Sequence, residues 1–336
     1  MVAVPRRGLG LDAEIQSDDR NHEREFLECL ENYLEEQVVG FEPEIRQHVQ
    51  ACLHTGGKRL RPILLSRAAF SGESEVSPDL VKAGAVVELV HVATLVHDDV
   101  LDGAILRRSN STLFSEQGAS VAVLVGDALF SHALKLAAEF PTNEVCSWVS
   151  EATRRTCAGE IQQSFHRGKL NLSLDDYYRV IELKTAELFR VSCLVGAFLG
   201  GFEEPFRAAS AKFGLRLGVA YQLYDDLADI FGEELRLGKT LGTDWTNRKP
   251  TLPLILLLRD VDPDFAKHLW GATEVGVDEI RHMASERALF EPCTERVRNE
   301  LAAAETSLSM FSDLHPVPLL LEAVQYVKNK LADLRA

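Results

Sequence analysis

Positive charge, cysteine pairs and long hydrophobic runs are scarce in this 336-residue sequence, and each shortage argues against a class of protein. The 51 acidic side chains outnumber the 36 basic ones, so the formal net charge is -15 and general nucleic-acid binding is not expected. None of the six cysteines forms a CxxC pair, which argues against a zinc site or redox dithiol and suits a reducing, cytoplasmic location. No apolar run approaches the roughly 20 residues that span a bilayer, so no transmembrane segment is predicted.

The composition is nevertheless rich enough in apolar residues for a substantial core. Hydrophobic residues make up 46% of the chain and charged residues 26%, which is typical of a globular protein. From Glu23 onward the apolar positions recur at helical spacing, and alternation of the kind found in strands is nearly absent. Neither a repeat nor a linker divides the sequence. We therefore predict an all-α fold, a single helix bundle over residues 21–336, preceded by a flexible arm over residues 1–20.

The helix pattern also predicts where individual helices begin and end. Ser77 is expected to cap a long helix, and a break in the pattern is expected near Lys184. The predicted helices cover residues 25–36, 43–53, a segment opening at 61, 78–102, 119–140, 143–167, 173–199 and 204–230. Residues 238–253 are predicted as a loop, and the remainder of the chain as helical.

Two acidic motifs of the form DDxxD follow apolar helical runs. Their members are Asp98, Asp99, Asp102, Asp225, Asp226 and Asp229. Residues four apart lie on one face of a helix, about 6 Å apart along its axis. Carboxylates packed this closely repel one another, and a hard cation such as Mg²⁺ removes the repulsion and commonly bridges carboxylate to phosphate. The two motifs therefore predict a site for a divalent cation.

Despite the acidic background, basic residues form two clusters, and two single lysines follow later in the chain. Lys58, Arg59 and Arg61 follow a pair of glycines, Arg107 and Arg108 follow the first acidic motif, and Lys184 and Lys239 stand alone. A lysine supplies a point charge and an arginine a bidentate fork, which together suit a diphosphate. The alternatives are a solvated basic turn, simple ion pairing with the aspartates, and ordinary surface lysines.

The ordered motifs GGKRLRP, HDDVLDGAILRR, KTAELF, YQLYDDLAD, LGKTLGTD and KPTLPL resemble those of trans-isoprenyl diphosphate synthases, the polyprenyl synthetase family. The resemblance runs from about residue 25 to residue 260. One DDxxD motif is weak evidence by itself, but two together with the glycine-flanked basic loop and the arginine pair are specific. The resemblance implies an antiparallel bundle around a central cavity and a homodimer formed by packing long helices.

The resemblance also assigns a role to each matching residue. A ligand set for three Mg²⁺ ions is implied for Asp98, Asp99, Asp102, Asp225 and Asp226, with Asp229 as an outer or water-mediated contact. The allylic diphosphate is matched by Arg107, Lys184, Thr185, Gln222 and Lys239. The isopentenyl diphosphate pocket is matched by Lys58, Arg61, His91 and Arg108, and Lys249 resembles a lysine near the entrance. The catalytic set so implied comprises Asp98, Asp99, Asp102, Asp225, Asp226, Lys184 and Lys239.

The implied reaction is a head-to-tail condensation of isopentenyl diphosphate with an allylic primer, giving an all-trans polyprenyl diphosphate. The primer is dimethylallyl, geranyl, farnesyl or geranylgeranyl diphosphate. Metal and cations stabilise the leaving diphosphate, the isopentenyl double bond attacks the allylic cation, and diphosphate itself takes the proton. A dry apolar site protects the cation from water.

Product length is predicted from the helix that precedes the first acidic motif. Ala93 and Thr94 lie one turn before Asp98 on the same face, and both are small; Val90 and Val87 follow at successive turns. Family members with short products tend to have an aromatic residue at this place, so the stretch ELVHVATLVHDD resembles long-chain members, from hexaprenyl to decaprenyl. Gln163 is a further candidate for the tunnel wall. The alternative is that Ala93 and Thr94 serve helix packing alone.

Several features depart from the family pattern. Ser109 follows the arginine pair, Trp245 and Arg248 are unusual in their loop, and the end of the chain at Ala336 has no basic tail. None of these departures changes the reaction class that the motifs imply.

Three other functions stay open at this stage. Glu88 with His91, and Glu279 with His282, form two ExxH pairs of the kind found in di-iron carboxylate bundles. A non-catalytic subunit of a heteromeric synthase is a second possibility, although such subunits usually lose motif aspartates. A class I terpene cyclase is the third, but its second motif is an asparagine-serine-glutamate pattern rather than DDxxD.

Overall fold

The computed structural model describes residues 17–54, 57–72, 75–107, 110–233, 241–272 and 274–334, and helices dominate it as predicted. The elements in chain order are α1 Ser17–Val38, α2 Arg46–Leu53, α3 Leu60–Ala69, α4 Pro78–Asp102, β1 Leu106–Arg107, β2 Asn110–Ser111, α5 Leu113–Ala138, α6 Glu144–His166, α7 Leu174–Ile181, a π-helical turn Glu182–Ala186, α8 Glu187–Leu199, α9 Glu204–Phe231, α10 Thr243–Thr246, α11 Leu252–Asp260, α12 Pro263–Gly271, α13 Val277–Glu286, α14 Phe290–Leu308, a 3₁₀ turn Ser309–Phe311 and α15 Pro316–Asp333. The two short strands pair antiparallel as a small hairpin after α4.

Helix α4 begins and ends as the sequence predicts. The Ser77 hydroxyl accepts a hydrogen bond from the Leu80 amide at 3.2 Å, and Pro78 occupies the first turn. At the other end Gly103 adopts a left-handed conformation with φ of 63°, which stops the helix directly after the first acidic motif. Both caps therefore fix the register of the three aspartates at its carboxyl end.

Some predicted boundaries are wrong: α2 begins at Arg46 rather than at residue 43, and the loop predicted over residues 238–253 contains α10 and the first residues of α11. Helix α1 begins at Ser17, so the predicted flexible arm does not include residues 17–20; residues 1–16 lie outside the described part of the chain. The helical stretch α5 opens with a short segment at Leu113, where Thr112 accepts a hydrogen bond from the Ser115 amide at 3.0 Å, and the helix predicted from residue 119 begins directly after a kink. The helical pattern is interrupted at Gly118, whose φ of 83° is not helical.

The break predicted near Lys184 is a π-helical turn between α7 and α8. Glycines on two neighbouring helices let this turn pack closely. A side chain on Gly159 of α6 would collide with the Lys184 backbone, and one on Gly218 of α9 would collide with Ala186. The π turn thus packs closely between α6 and α9. Turns of this kind occur frequently at functional sites.

The core is divided among three hydrophobic clusters. The first lies among α1, α2, α4 and α5 and includes Phe26 and Leu89. The second lies among α3, α8, α9, α14 and α15 and includes Phe189 and Phe213. The third gathers α11, α12 and α13 around Trp245. Helices α4 and α9, which carry the acidic motifs, therefore belong to different clusters, and the polar site lies where these clusters meet.

In the described part of the chain two helices are apolar and long enough to cross a membrane, which is weak evidence for a span because buried core helices have the same length and composition. They are α4 and α5, and 72% of the tested window of α4 is buried inside the protein against 44% for α5. Burial of this extent makes α4 a core helix, whereas α5 keeps part of its apolar surface exposed.

Candidate active site

The last two turns of α4 bring the first three aspartates together, and each carboxylate contacts a cation from elsewhere in the chain. Arg107, from the hairpin, lies 2.8 Å from the Asp99 carboxylate and donates a second hydrogen bond to it. Burial, together with Asp98 and Asp102, raises the pKa of Asp99, although Arg107 opposes the rise. The motif therefore concentrates negative charge in a partly dehydrated place.

Asp102 lies between two cations. Its carboxylate accepts hydrogen bonds from Arg167 at 2.7 Å and from Lys249 at 2.6 Å. Burial alone would raise the pKa of Asp102, but Lys249 outweighs burial with help from Lys184 and Arg167, so the pKa is lowered. Lys249 thus contacts the last aspartate of the first motif, and its place near the entrance stays a prediction.

Lys184 projects from the π turn toward the first motif. Its ammonium lies 3.4 Å from the Asp98 carboxylate, donates to the Gln163 side chain at 2.9 Å and forms an ion pair with Glu160. Burial alone would lower the pKa of Lys184, but Asp98 and Glu160 raise it. Burial and Asp98 raise the pKa of Glu160.

The second motif is more deeply buried than the first. Asp226 accepts hydrogen bonds from the Tyr177 hydroxyl at 2.5 Å and from the Gln222 amide at 2.7 Å. Burial, reinforced by Asp225 and Asp229, raises the pKa of Asp226 to about 7. A cation bound beside this carboxyl group would stabilise its charged form.

Asp229, the last member of the second motif, contacts the following loop. Its carboxylate accepts hydrogen bonds from the backbone amides of Thr243 and Asp244 at 3.3 and 3.0 Å, and from the Thr243 hydroxyl at 3.2 Å. These bonds hold the start of α10 beside α9. The role of Asp229 as an outer or water-mediated metal contact stays a prediction.

Neighbouring residues in the π turn connect the two motifs. Lys184 reaches Asp98, whereas the Thr185 hydroxyl donates to Gln222 at 2.7 Å, and Gln222 in turn donates to Asp226. A pocket beside this chain of contacts is lined by Gln163, Tyr177, Gln222, Asp226 and Lys249. The structure therefore brings both motifs to one polar region.

The residues expected to bind isopentenyl diphosphate form a second basic group. The Arg61 guanidinium lies 3.0 Å from the His91 ring nitrogen and 4.8 Å from the centre of the Phe189 ring. Lys58 donates to the Tyr326 hydroxyl of α15 at 2.5 Å. Arg108 and Lys239, predicted for the two diphosphates, lie outside the described residues, as does Ser109.

Arg59, which lies between these two cations, has a structural role instead. It is buried and donates to Glu88 at 2.6 Å, to Glu31 at 2.9 Å and to the Leu53 carbonyl at 2.8 Å. Its φ of 51° places a non-glycine residue in the left-handed region immediately before α3. The contacts to α1 and α4 therefore hold the basic loop in place.

The di-iron alternative is wrong for this structure. Glu88 pairs with Arg59 and His91 contacts Arg61, so the first ExxH pair is occupied by cations. His282 is 72% exposed and forms an ion pair with Glu286 on the surface of α13, far from any inward-facing cluster. Both pairs follow from helical spacing alone and do not converge on a metal.

The predicted product-length residues lie along α4 behind the first motif. Ala93, Val90 and Val87 are fully buried, and Thr94 is half-buried and donates to the His91 carbonyl at 2.7 Å. The three buried side chains belong to the first hydrophobic cluster. An apolar channel along this helix therefore stays a prediction.

Five residues of the site were not identified from the sequence. They contact predicted site residues through side chains: Glu160 and Arg167 on or after α6, Tyr177 on α7, Phe189 on α8, and Tyr326 on α15. A helical signal existed for two of them: Glu160 lies one turn before Gln163, and Tyr177 lies two turns before Lys184. The other three come from distant parts of the chain and have no local signature.

The donor set fits a hard divalent cation by its chemistry, because it consists of carboxylate oxygens at the ends of two helices. Within the described ranges, no three acidic, histidine or cysteine side chains converge into a ready-made metal cluster. Each aspartate is instead held by a cation or a hydrogen-bond donor. Burial and the neighbouring aspartates raise the pKa of Asp226 to about 7, and a cation bound beside it would favour its charged form.

Comparison with known proteins decides the family. A model of the polyprenyl synthetase family matches residues 42–286, which is more than two thirds of the chain. The chain belongs to the polyprenyl synthetase family. Members of this family are prenyltransferases, so this polyprenyl synthetase is a transferase, and Mg²⁺ is the metal that the family generally uses.

Named relatives of this polyprenyl synthetase cover most of its length. The octaprenyl diphosphate synthase of Haemophilus influenzae is 34% identical over 263 residues, which cover 77% of this chain and 80% of that protein. Component 2 of the heptaprenyl diphosphate synthase of Geobacillus stearothermophilus is 33% identical over 245 residues, covering 70% and 76%. The crystal structure of a decaprenyl diphosphate synthase from Rhodobacter capsulatus superposes with a TM-score of 0.83 at 27% identity, covering 95% of this chain and all of that one.

Proposed function

We propose that this polyprenyl synthetase condenses isopentenyl diphosphate with an allylic diphosphate to make a long all-trans polyprenyl diphosphate, in the hexaprenyl to decaprenyl range. The observation that carries the proposal is the π turn, in which Lys184 contacts Asp98 while Thr185 connects through Gln222 to Asp226. Both acidic motifs are thus connected to the π turn. Lys184 in this turn supplies positive charge of the kind that ionisation of an allylic diphosphate requires. The names of the relatives support the long product.

The metal would be held by both acidic motifs. Asp98, Asp99 and Asp102 would act from α4, and Asp225 and Asp226 from α9, with three Mg²⁺ ions as the family resemblance implies. When bound, the metal supplies positive charge that stabilises the leaving diphosphate. Asp229 would contribute through the loop amides that it already contacts.

The cations of the site would divide between two diphosphates. Arg107, Lys184 and Lys249 lie against the first motif and would hold the allylic diphosphate, with Lys239 added by family position. A charge that develops on this leaving group would therefore meet donors that are already in place. Thr185 and Gln222 would provide uncharged hydrogen bonds on the opposite side.

The second diphosphate would bind at the basic group beside α3. Lys58, Arg61 and His91 lie there, and Arg108 is added by family position. Phe189 beneath the Arg61 guanidinium orients its plane, which favours bidentate contact with a phosphate.

The bond changes require no side-chain nucleophile. The allylic C–O bond breaks heterolytically, the isopentenyl double bond attacks the allylic cation, and a proton passes from the new cation to the departed diphosphate. The protein positions the reactants and excludes water, which the apolar face of α4 behind the motif would do. Ala93, Thr94, Val90 and Val87 on that face would set how far the product extends.

The surroundings of the enzyme are proposed from the same resemblance. We expect a homodimer in the cytoplasm, with small-molecule diphosphates as substrates and no nucleic acid as partner. Two relatives are named as component 2 of a heptaprenyl diphosphate synthase, so activity of the chain by itself is the point to be tested.

The test is an incubation of the purified chain with isopentenyl diphosphate, Mg²⁺ and each allylic primer in turn, followed by product sizing. We expect chains in the hexaprenyl to decaprenyl range, and no turnover after chelation of the metal or in the Asp98→Ala variant. Failure of the pure protein to elongate any primer would contradict the proposal and would favour a subunit that needs a partner chain.

A further inference from the structure

The turn between α10 and α11 contains a feature that the reaction itself does not explain. Lys249 lies in this turn, and its ammonium spans to the far side of the site, where it donates to the Asp102 carboxylate at 2.6 Å. The preceding residue, Arg248, has a φ of 52°, a left-handed conformation that side-chain-bearing residues disfavour. Something must hold the backbone in this conformation for Lys249 to reach Asp102.

The Arg248 side chain is held between two indole rings. Its guanidinium carbon lies 4.2 Å from the ring centre of Trp245 and 5.8 Å from that of Trp270. One guanidinium nitrogen donates to the Trp245 carbonyl at 2.9 Å, and the other donates to the Ala272 carbonyl. Stacking and two directed hydrogen bonds together leave the planar group little freedom.

Both tryptophans are themselves anchored. The Trp245 ring nitrogen donates to the Val275 carbonyl at 2.7 Å, and the Trp270 ring nitrogen donates to the Gly168 carbonyl at 2.8 Å. The two rings pack edge to face with centres 5.6 Å apart. Gly168 also donates its amide to the Arg248 carbonyl at 2.9 Å, so Arg248 is tied to α12 and to the segment after α6.

The hydrogen bond between Gly168 and Arg248 is informative because of the residue that precedes Gly168. Arg167, the residue before Gly168, is the other cation that contacts Asp102. Arg248, Trp245 and Trp270 form a clamp. This clamp therefore holds both backbone segments from which Arg167 and Lys249 reach the Asp102 carboxylate. No side chain of the clamp touches an acidic motif, so any effect on the reaction must pass through these segments.

We propose that Arg248 is a positioning residue, which holds Lys249 where it can bind the diphosphate of the allylic substrate at the Asp102 end of the site. The inference rests on the diphosphate-binding role proposed above for Lys249. Trp245 and Arg248 are the residues by which the sequence of this loop departs from the family pattern.

The test is a double-mutant cycle with Arg248→Gly, Lys249→Met and the double variant. Glycine adopts the left-handed conformation without strain, so Arg248→Gly removes the clamp while keeping the backbone accessible. We expect the KM for the allylic diphosphate to rise by about 10-fold in Arg248→Gly and by at least as much in Lys249→Met, because each loses a charge-assisted contact. The double variant should match Lys249→Met, while the KM for isopentenyl diphosphate stays within a factor of two to three.

Binding of inorganic diphosphate with Mg²⁺, measured by calorimetry, gives the same comparison without turnover. An additive loss in the double variant, or an unchanged allylic KM in Arg248→Gly, would overturn the proposal. If Lys249→Met leaves diphosphate affinity intact, the assigned role of Lys249 is wrong, and an inactive wild-type chain contradicts the proposed function instead.

Arg287→Met, on a half-buried arginine of the same region that pairs with Asp260, is the matched control. Should Arg248→Gly not fold, Arg248→Lys keeps the charge but not the planar stack and is expected to show the same split.

Discussion

Single side chains in the acidic motifs are kept in place by partners from distant helices. Asp99 is held by Arg107, Asp102 by Arg167 and Lys249, and Asp226 by hydrogen bonds from Tyr177 and Gln222. A carboxylate with a fixed orientation loses less freedom when it binds a metal, so these contacts prepare the site as well as neutralise it. Tyr177 offers the cleanest test of this idea, because its hydroxyl touches a single aspartate.

Replacing Tyr177 with phenylalanine removes the hydrogen bond to Asp226 and little else. We expect metal affinity to fall by about 10-fold, as is usual when a residue that orients a ligand is lost. The free energy of unfolding should fall by only about 1 kcal/mol, the typical value of one hydrogen bond. Mn²⁺ binding in the presence of inorganic diphosphate, followed by electron paramagnetic resonance, measures the affinity without turnover.

Tyr178→Phe is the matched control for this experiment. Tyr178 is the next residue along α7, and its ring centre lies 5.7 Å from that of Tyr177. In the described part of the chain its hydroxyl does not donate to an aspartate. Equal metal affinity in Tyr177→Phe and Tyr178→Phe would show that Asp226 does not need its tyrosine.

The residues of the site were predictable where a short motif carried them. The spacing of DDxxD places carboxylates on one helix face, and the break at Lys184 was visible in the helical pattern itself. Arg167 and Tyr326 were not, because their contacts join positions far apart in the chain, and local periodicity contains no information on such pairs. Folding, rather than spacing, brings them to the site.

Helix α4 combines the metal site with a buried apolar face, and this predicts a graded effect of bulky substitutions. Ala93→Phe places a ring one turn behind the first motif and should give the shortest product. Val87→Phe places it six residues deeper, about 9 Å at 1.5 Å per residue, so its product should be longer by one to two isoprene units. Product sizing by mass spectrometry after identical incubations measures both.

Both substitutions fill a packed core, at a cost of about 1–3 kcal/mol, so a thermal unfolding curve must accompany each. Thr94→Phe, at a half-buried neighbouring position, provides a variant with less strain and should also shorten the product. Identical products from Ala93→Phe and Val87→Phe would mean that α4 does not measure the chain, and that Ala93 and Thr94 serve packing alone.

The loop before α3 depends on a buried ion cluster, and this predicts a large loss of stability when it is broken. Arg59 is 4% exposed and Glu88 is 3% exposed, so Arg59→Met leaves a buried carboxylate without its partner. Such a change typically costs about 3–5 kcal/mol. Urea unfolding followed by circular dichroism measures the loss, and Arg154→Met, at an exposed ion pair, should show no measurable change.

A double variant separates the pair from the packing. Arg59→Met with Glu88→Leu removes both charges, and replacement of a buried pair by apolar residues is often neutral. We expect the double variant to recover most of the stability lost by Arg59→Met, while the KM for isopentenyl diphosphate stays raised because Lys58 and Arg61 are no longer held. Full recovery of both the free energy of unfolding and the KM for isopentenyl diphosphate would show that the ion cluster does not position the loop.

Helical periodicity predicts the fold class of the whole molecule, but it does not predict which helix surfaces pack against one another. An all-α bundle could be predicted because apolar positions recur at helical spacing throughout. The register between helices could not, since the close contact of Gly159 with the π turn depends on which helices become neighbours. Nor does periodicity distinguish an apolar face buried in the bundle from one that stays exposed on the single chain, and α5 and α6 illustrate this.

Helices α5 and α6 expose apolar side chains that a homodimer would cover. Leu124 is 64% exposed and Val123 40% on α5, and Phe165 is 73% exposed and Ile161 57% on α6. Burying large apolar side chains provides most of the free energy of a stable interface, and a charge placed in its centre is costly. Leu124→Asp should therefore convert a dimer to a monomer, measured by light scattering after size exclusion at micromolar concentration. Met310→Asp introduces the same charge at a 90% exposed position between α14 and α15 and should leave the mass unchanged. A Leu124→Asp protein that stays dimeric would place the interface on another face, and a monomeric wild-type chain would remove the need for one.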